Sequence, residues 1–163
     1  MKEGQTMRTP TWKQAKPFAQ LVAAGCLATL GATIVLAADT PTGSIEVQLQ
    51  RLENDNGGLM VHLYTSADGF PDTPAKASIK LYVKPTDASA HATFANVPYG
   101  VYAVAVCHDA NSNDDCDANF LGIPKEGVGV SNNAKGFMGP PSFDKSKFTL
   151  QEPSKVVSID LDY

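Results

Sequence analysis

The stretch "CHDANSNDDCDANFLG", Cys107 to Gly122, sets Asp109, Asp114, Asp115 and Asp117 within nine positions and places Asn111, Asn113 and Asn119 among them. Two like charges 4 Å apart repel by about 1 kcal/mol in water, and by more where water is excluded. A chain that concentrates them needs a compensating partner. Asp109, Asn111, Asn113 and Asp117 fall at positions 1, 3, 5 and 9 of the calcium-loop pattern D-x-[DN]-x-[DN], and Asp115, at position 7, would offer its backbone carbonyl. Calcium takes six to eight oxygen ligands, and a tightly curling loop turns every second side chain inward. The expected metal set is therefore Asp109, Asn111, Asn113, Asp115 and Asp117, with Ca²⁺ as the ion. The pattern is not an EF-hand. Asp114 stands where Gly makes the sharp turn, and Phe120 stands where the bidentate acid belongs. The other reading is a solvated turn in which Asn and Asp side chains cap their own backbone.

Cys107 and Cys116 flank this loop. They read either as a disulfide, closing a short ring, or as two small buried apolar residues. A soft-metal site from Cys107, His108 and Cys116 is disfavoured, because adjacent side chains on a strand point to opposite faces. His108 beside Asp109 invites a catalytic reading, yet the chain has no G-x-S-x-G elbow and no H-E-x-x-H pair. His62 and His91 read as surface or locally hydrogen-bonded histidines. A second notable stretch is "GIPKEGVGVSNNAKGFMGPPSF", Gly122 to Phe143. There Lys125, Glu126, Ser131, Asn132 and Asn133 would contact a ligand, or the segment is a plain surface loop pinned by Phe137, Met138 and Phe143.

The elements that must position these residues are strands. "SIEVQLQRL", "GLMVHLY", "ASIKLYVKP", "AHATFANV", "KFTLQ" and "KVVSIDLDY" alternate apolar and polar residues with period two, and turn signals such as "ENDNGG" separate them. "GVYAVAVCH" is apolar from Val101 to Cys107, as expected of a strand buried on both faces. About seven short strands predict an all-β fold, an antiparallel two-sheet sandwich. "PDTPAKA" is expected to form at most a short helix, and "GVGVS" a short strand inside an otherwise irregular loop over 109–143. A loop of that length is uncommon unless it is functional or braced.

The beginning of the chain differs in kind. Lys2, Arg8, Lys13 and Lys16 precede an uncharged stretch from Phe18 to Ala38, followed by the polar "DTPTGS". This order describes a secretory signal peptide cleaved after Ala37 or Ala38. The alternative is an uncleaved anchor, since about 20 apolar residues span a bilayer. Either way the positive charges stay inside and the remainder is expected in the periplasm or outside the cell. Cys26 in "VAAGC" loosely matches a lipidation box, but apolar residues continue after it, so it reads as signal filler. The expected organisation is a signal over 1–38, a linker over 39–43 and one domain over 44–163. The whole chain carries a net charge of −4, and removing the basic leader makes the rest more acidic. Nucleic acid is therefore not an expected partner. Membrane contact is expected only through the N-terminal segment.

The run from Phe94 to Asn133, "FANVPYGVYAVAVCHDANSNDDCDANFLGIPKEGVGVSNN", and the later "GPPSFDKSKFTL" resemble the bacterial exported family catalogued as domain of unknown function 2141. The resemblance covers about Ser44 to Tyr163. It implies an exported β-sandwich with no established activity and supplies no catalytic residues. The "VPYGVYAVAV" hairpin also resembles prealbumin-like and carboxypeptidase-regulatory-like sandwiches, some of which carry calcium-binding D-x-N-x-N loops. The chain departs from the family pattern at Asp114, where Gly is usual, and at Cys107 and Cys116, where larger apolar residues are usual. The paired departure fits a disulfide replacing an apolar contact.

The expected function is thus a non-catalytic exported module with a Ca²⁺-type loop, in a structural or surface-binding role toward an envelope or extracellular ligand. Two other functions stay open. One is a small-molecule or carbohydrate-processing enzyme using the 122–143 loop and His108; the other is an envelope protein–protein interaction module.

Overall fold

A computed structural model describes residues 40–163; the expected signal over 1–38 lies outside the described residues. Among the described residues no helix is long and apolar enough to cross a membrane. The chain forms β1 (Thr42–Gln50), β2 (Gly58–Tyr64), β3 (Ile79–Val83), β4 (Ala90–Pro98), β5 (Gly100–Asp109), β6 (Val128–Val130), β7 (Phe148–Leu150) and β8 (Ser154–Asp160). The short helix expected in "PDTPAKA" is one 3-10 turn, Pro74–Lys76, and a single α-turn, α1, spans Phe143–Ser146. β1 begins at Thr42, inside the range expected for the linker, 39–43.

These strands make two sheets, one in the order β4-β1-β8 and the other β3-β2-β5-β6, with β7 also pairing to β5. The fold is all-β, as the alternation predicts. It is not wholly antiparallel: β1 and β8 run parallel, Ser44 opposite Ser154 through Gln50 opposite Asp160. Parallel neighbours need a long crossover, and here nearly the whole domain supplies it. Alternation tells which face of a strand is buried, not which way its neighbour runs.

The inward faces of both sheets share one core. Ile45, Val47 and Leu49 of β1, Phe94 of β4 and Ile159 of β8 meet Leu59, Val61 and Leu63 of β2 and Val104 and Val106 of β5. Each such side chain contributes about 1.5–3 kcal/mol by leaving water. Val101 is exposed, contrary to the expected buried run, which starts at Tyr102 and extends through His108 and Asp109.

The outer face of the five-stranded sheet carries a second, smaller cluster. Tyr64, Ala105 and Val130 pack there beneath Phe70 and Phe143. The rings stack edge to face, Tyr64 on Phe70 at 5.3 Å and Phe70 on Phe143 at 5.7 Å. Ser131 fastens the loop beside this cluster. Its hydroxyl accepts the Val104 N–H at 2.9 Å and donates to the Ser146 carbonyl at 2.6 Å. The 109–143 segment is therefore braced rather than loose. It contains β6 and a 3-10 turn at Ser131–Asn133, and α1 begins at its last residue, Phe143.

Candidate functional site

β5 delivers Asp109 at its end, fully buried, and the chain then curls. One Asp109 oxygen accepts the Asn113 N–H and the other the Asp114 N–H, both at 3.0 Å. Asn111 accepts the same Asn113 N–H at 3.0 Å, and its amide donates to Asp117 at 2.8 Å. Asn113 accepts the Asp115 N–H at 2.9 Å while its amide faces both Asp117 oxygens at 3.5 Å. Asn111 and Asn113 thus each cap the backbone N–H two residues on, as the capped-turn reading expects, while their amides reach Asp117. Asp114 takes φ +63° and Ser112 φ +59°. A left-handed Asp is tolerable because its N–H gains the buried Asp109 carboxylate.

The structure draws Asp109, Asn111, Asn113 and Asp117 into one hydrogen-bonded knot, and leaves Asp115 to one side. The Asp115 side chain accepts the adjacent Cys116 N–H at 2.9 Å. Among the described residues, no three carboxylates of this loop bring oxygens within 4.8 Å of one another. The knot offers two carboxylates and two amides, all hard oxygen donors of the type calcium takes. Repulsion between the acids is already eased by the N–H groups that point at them.

Glu126 holds the knot from below, a structural role where the sequence predicts a ligand contact. It is 8% exposed. One of its oxygens accepts the Ala110 N–H and the other the Asp117 N–H, each at 3.0 Å. A carboxylate that far along the chain has no place in a twelve-residue loop pattern. The available signal is an acid immediately before "GVGV", two residues from Val128 and four from Val130. Cys107 and Cys116 form a disulfide, with Cα atoms 6.1 Å apart, that fixes the loop to the outer face of β5. Their sulfurs and a Glu126 oxygen lie within 4.8 Å of one another, but sulfurs bonded to each other are not thiolate ligands.

Three of the other residues expected to touch a ligand hold the fold through hydrogen bonds. Asn132 donates to the Lys145 and Lys147 carbonyls, Asn133 accepts the Asp160 N–H, and Ser131 is buried as described. Lys125 is exposed. Of the three side chains expected to pin the loop, only Phe143 packs. Phe137 and Met138 are 88% and 94% exposed.

His108 is fully buried, on the core side with Val104 and Val106. One ring nitrogen meets the Asn56 carbonyl at 2.8 Å and the other the Tyr163 hydroxyl at 2.7 Å. A carbonyl only accepts, so Nε2 carries the proton and Tyr163 donates to Nδ1; the same hydroxyl accepts the Glu53 N–H at 3.2 Å. Both nitrogens are thereby occupied. His91 is exposed, in keeping with a surface role.

His62 is buried on the outer face, contrary to a surface reading. Burial, and secondarily the Lys80 cation, lower its pKa below the ordinary 6.5. The unfolded chain therefore binds this proton more readily than the folded one. Stability is unaffected well above pH 6.5 and is lost as pH falls from 6.5 toward the depressed value. An NMR titration is expected to place His62 below 6.5, and His62→Gln to flatten the acid limb of the stability curve; a midpoint at or above 6.5 contradicts the burial account.

The fold and site define a two-sheet all-β module that carries a disulfide-clamped acidic loop. The chain belongs to the family described as "Uncharacterized protein conserved in bacteria (DUF2141)", whose model matches residues 47–158. Comparison with curated proteins and comparison with solved structures each return no match.

Proposed function

We propose that the protein is an exported, non-catalytic module built as a prealbumin-like sandwich, whose Ca²⁺-type loop stiffens a long surface segment for structural or binding use. The observation that carries this reading is the knot of Asp109, Asn111, Asn113 and Asp117 at the end of a rigid strand. Calcium would exchange the amide donors on Asp117 for an ion, with amide oxygens rotated inward. Export is supported by the basic-then-apolar leader and by the disulfide, which persists in oxidising compartments. Asp109, Asn111, Asn113 and Asp117 would supply side-chain oxygens and Asp115 its carbonyl.

With so few carboxylates the affinity belongs to the weak extracellular class, with a dissociation constant of about 10⁻⁴–10⁻³ M. At ten times that constant the ion adds about 1.4 kcal/mol. For a domain of this size the melting temperature is expected to rise by about 4–8 °C between EGTA and millimolar Ca²⁺. Mg²⁺, which holds its waters and demands octahedral geometry, should do less. Asp117→Asn should abolish the shift; superimposable melts with and without Ca²⁺ remove the ion from the proposal.

An envelope interaction role is favoured by a separate observation. Phe120, Leu121, Ile123, Phe137 and Met138 stand exposed on the two loops that flank the outer sheet face. Apolar residues gathered on a surface mark contact sites more often than isolated ones do.

A further inference from the structure

The outer face of the five-stranded sheet is only half covered. Beside the Tyr64–Phe70–Phe143 cluster lies an open groove of about 1140 Å³. Its floor includes Met60, His62, Cys107 and Val128, and its walls are the loops 114–124 and 134–141. Leu121, Ile123 and Met138 line the rim with their apolar surface in water. Six aspartates, Asp72, Asp114, Asp115, Asp117, Asp160 and Asp162, line the same groove against two lysines, Lys80 and Lys135. Lys135 is paired to Asp162. The floor contributes no compensating positive charge, since burial favours neutral His62.

We propose that this groove docks an extended polypeptide segment in which basic and apolar residues alternate. The volume, lining and charge of the groove select that occupant. Its volume exceeds what a single ion or small metabolite fills and passes the roughly 300–1,000 Å³ of small-molecule sites. An extended strand turns successive side chains to opposite sides, so apolar residues meet the sheet while basic ones reach the acidic walls. The carboxylate excess opposes an anionic ligand and attracts a cationic one. Met138, flexible and polarizable, suits a rim that adapts to varied apolar side chains. This inference rests on the binding role proposed above and does not require calcium in the loop.

The test uses the full chain and fluorescence anisotropy of labelled nonapeptides, run in both EGTA and Ca²⁺. A peptide alternating Lys and Leu is expected to bind at micromolar concentration and to weaken steeply with salt; one alternating Glu and Leu is expected not to bind. Asp72→Lys and Met138→Asp alter exposed positions and should each raise the dissociation constant about tenfold or more with unchanged melting temperature. Binding in EGTA at full strength sustains the groove even if the calcium melts fail. Equal binding of both peptides, or failure of either variant to weaken binding, overturns the proposal. So does preference for spermine, a polycation without apolar side chains. Concentration-dependent self-association that the Lys–Leu peptide cannot disperse gives the groove to a second copy and likewise overturns it.

Discussion

Glu126→Ala is expected to destabilise the domain by about 2–4 kcal/mol, more than a surface acid ordinarily contributes. The reason is geometric. Glu126 is nearly buried and spends both oxygens on backbone N–H groups, those of Ala110 and Asp117. Those two amides lie at opposite ends of the curl, so the carboxylate is the strut between them. Removing it leaves two donors without partners, at about 1–3 kcal/mol each, offset where water enters. Glu126→Gln should fall between, since it keeps one acceptor and turns an amide N–H against the other donor. Denaturant melts read the loss, and hydrogen exchange at Ala110 and Asp117 should accelerate before that of the core strands. A change under about 0.5 kcal/mol would mean that water replaces the carboxylate at little cost.

Loss of the Cys107–Cys116 bond is the second large effect. The cysteines are nine positions apart, and closing a ring of that size stabilises by about 2–3 kcal/mol in the chain-entropy model. Reduction by dithiothreitol, or Cys107→Ala with Cys116→Ala, should lower the melting temperature by about 10 °C. The bond and Glu126 hold the same curl, so the two losses should not add. A double-mutant cycle is expected to show coupling of about 0.5 kcal/mol or more. Identical melts for oxidised and reduced protein would show that the remaining hydrogen bonds suffice.

Much of this was legible in the chain because strands write their burial every second residue. Val61 and Leu63, or Val157 and Ile159, announce an inward face without knowledge of the neighbour. The curl after Asp109 was legible for a similar reason, since Asn and Asp at alternate positions both turn inward and cap their own backbone. Partnership at a distance was not. Nothing in "KEGVG" says that Glu126 will reach back to Ala110, and nothing in "KVVSIDL" says that its strand will lie parallel to the first. His108 misleads for a related reason. Its sequence neighbour Asp109 suggests a catalytic pair, while its actual partners are Asn56 and Tyr163, each more than fifty residues away. Phe137 and Met138 resemble anchors by type alone, and the backbone carries them outward.

The position of β1 between β4 and β8 also governs how the chain must come together. A ribosome makes β1 early and β8 late, so the first strand waits with one edge bare until residues near 160 exist. Pairings that distant in sequence form slowly, on the order of milliseconds to seconds. On the export proposed above, a polypeptide that stays open so long would remain threadable through a narrow channel and close only after its far end had come through.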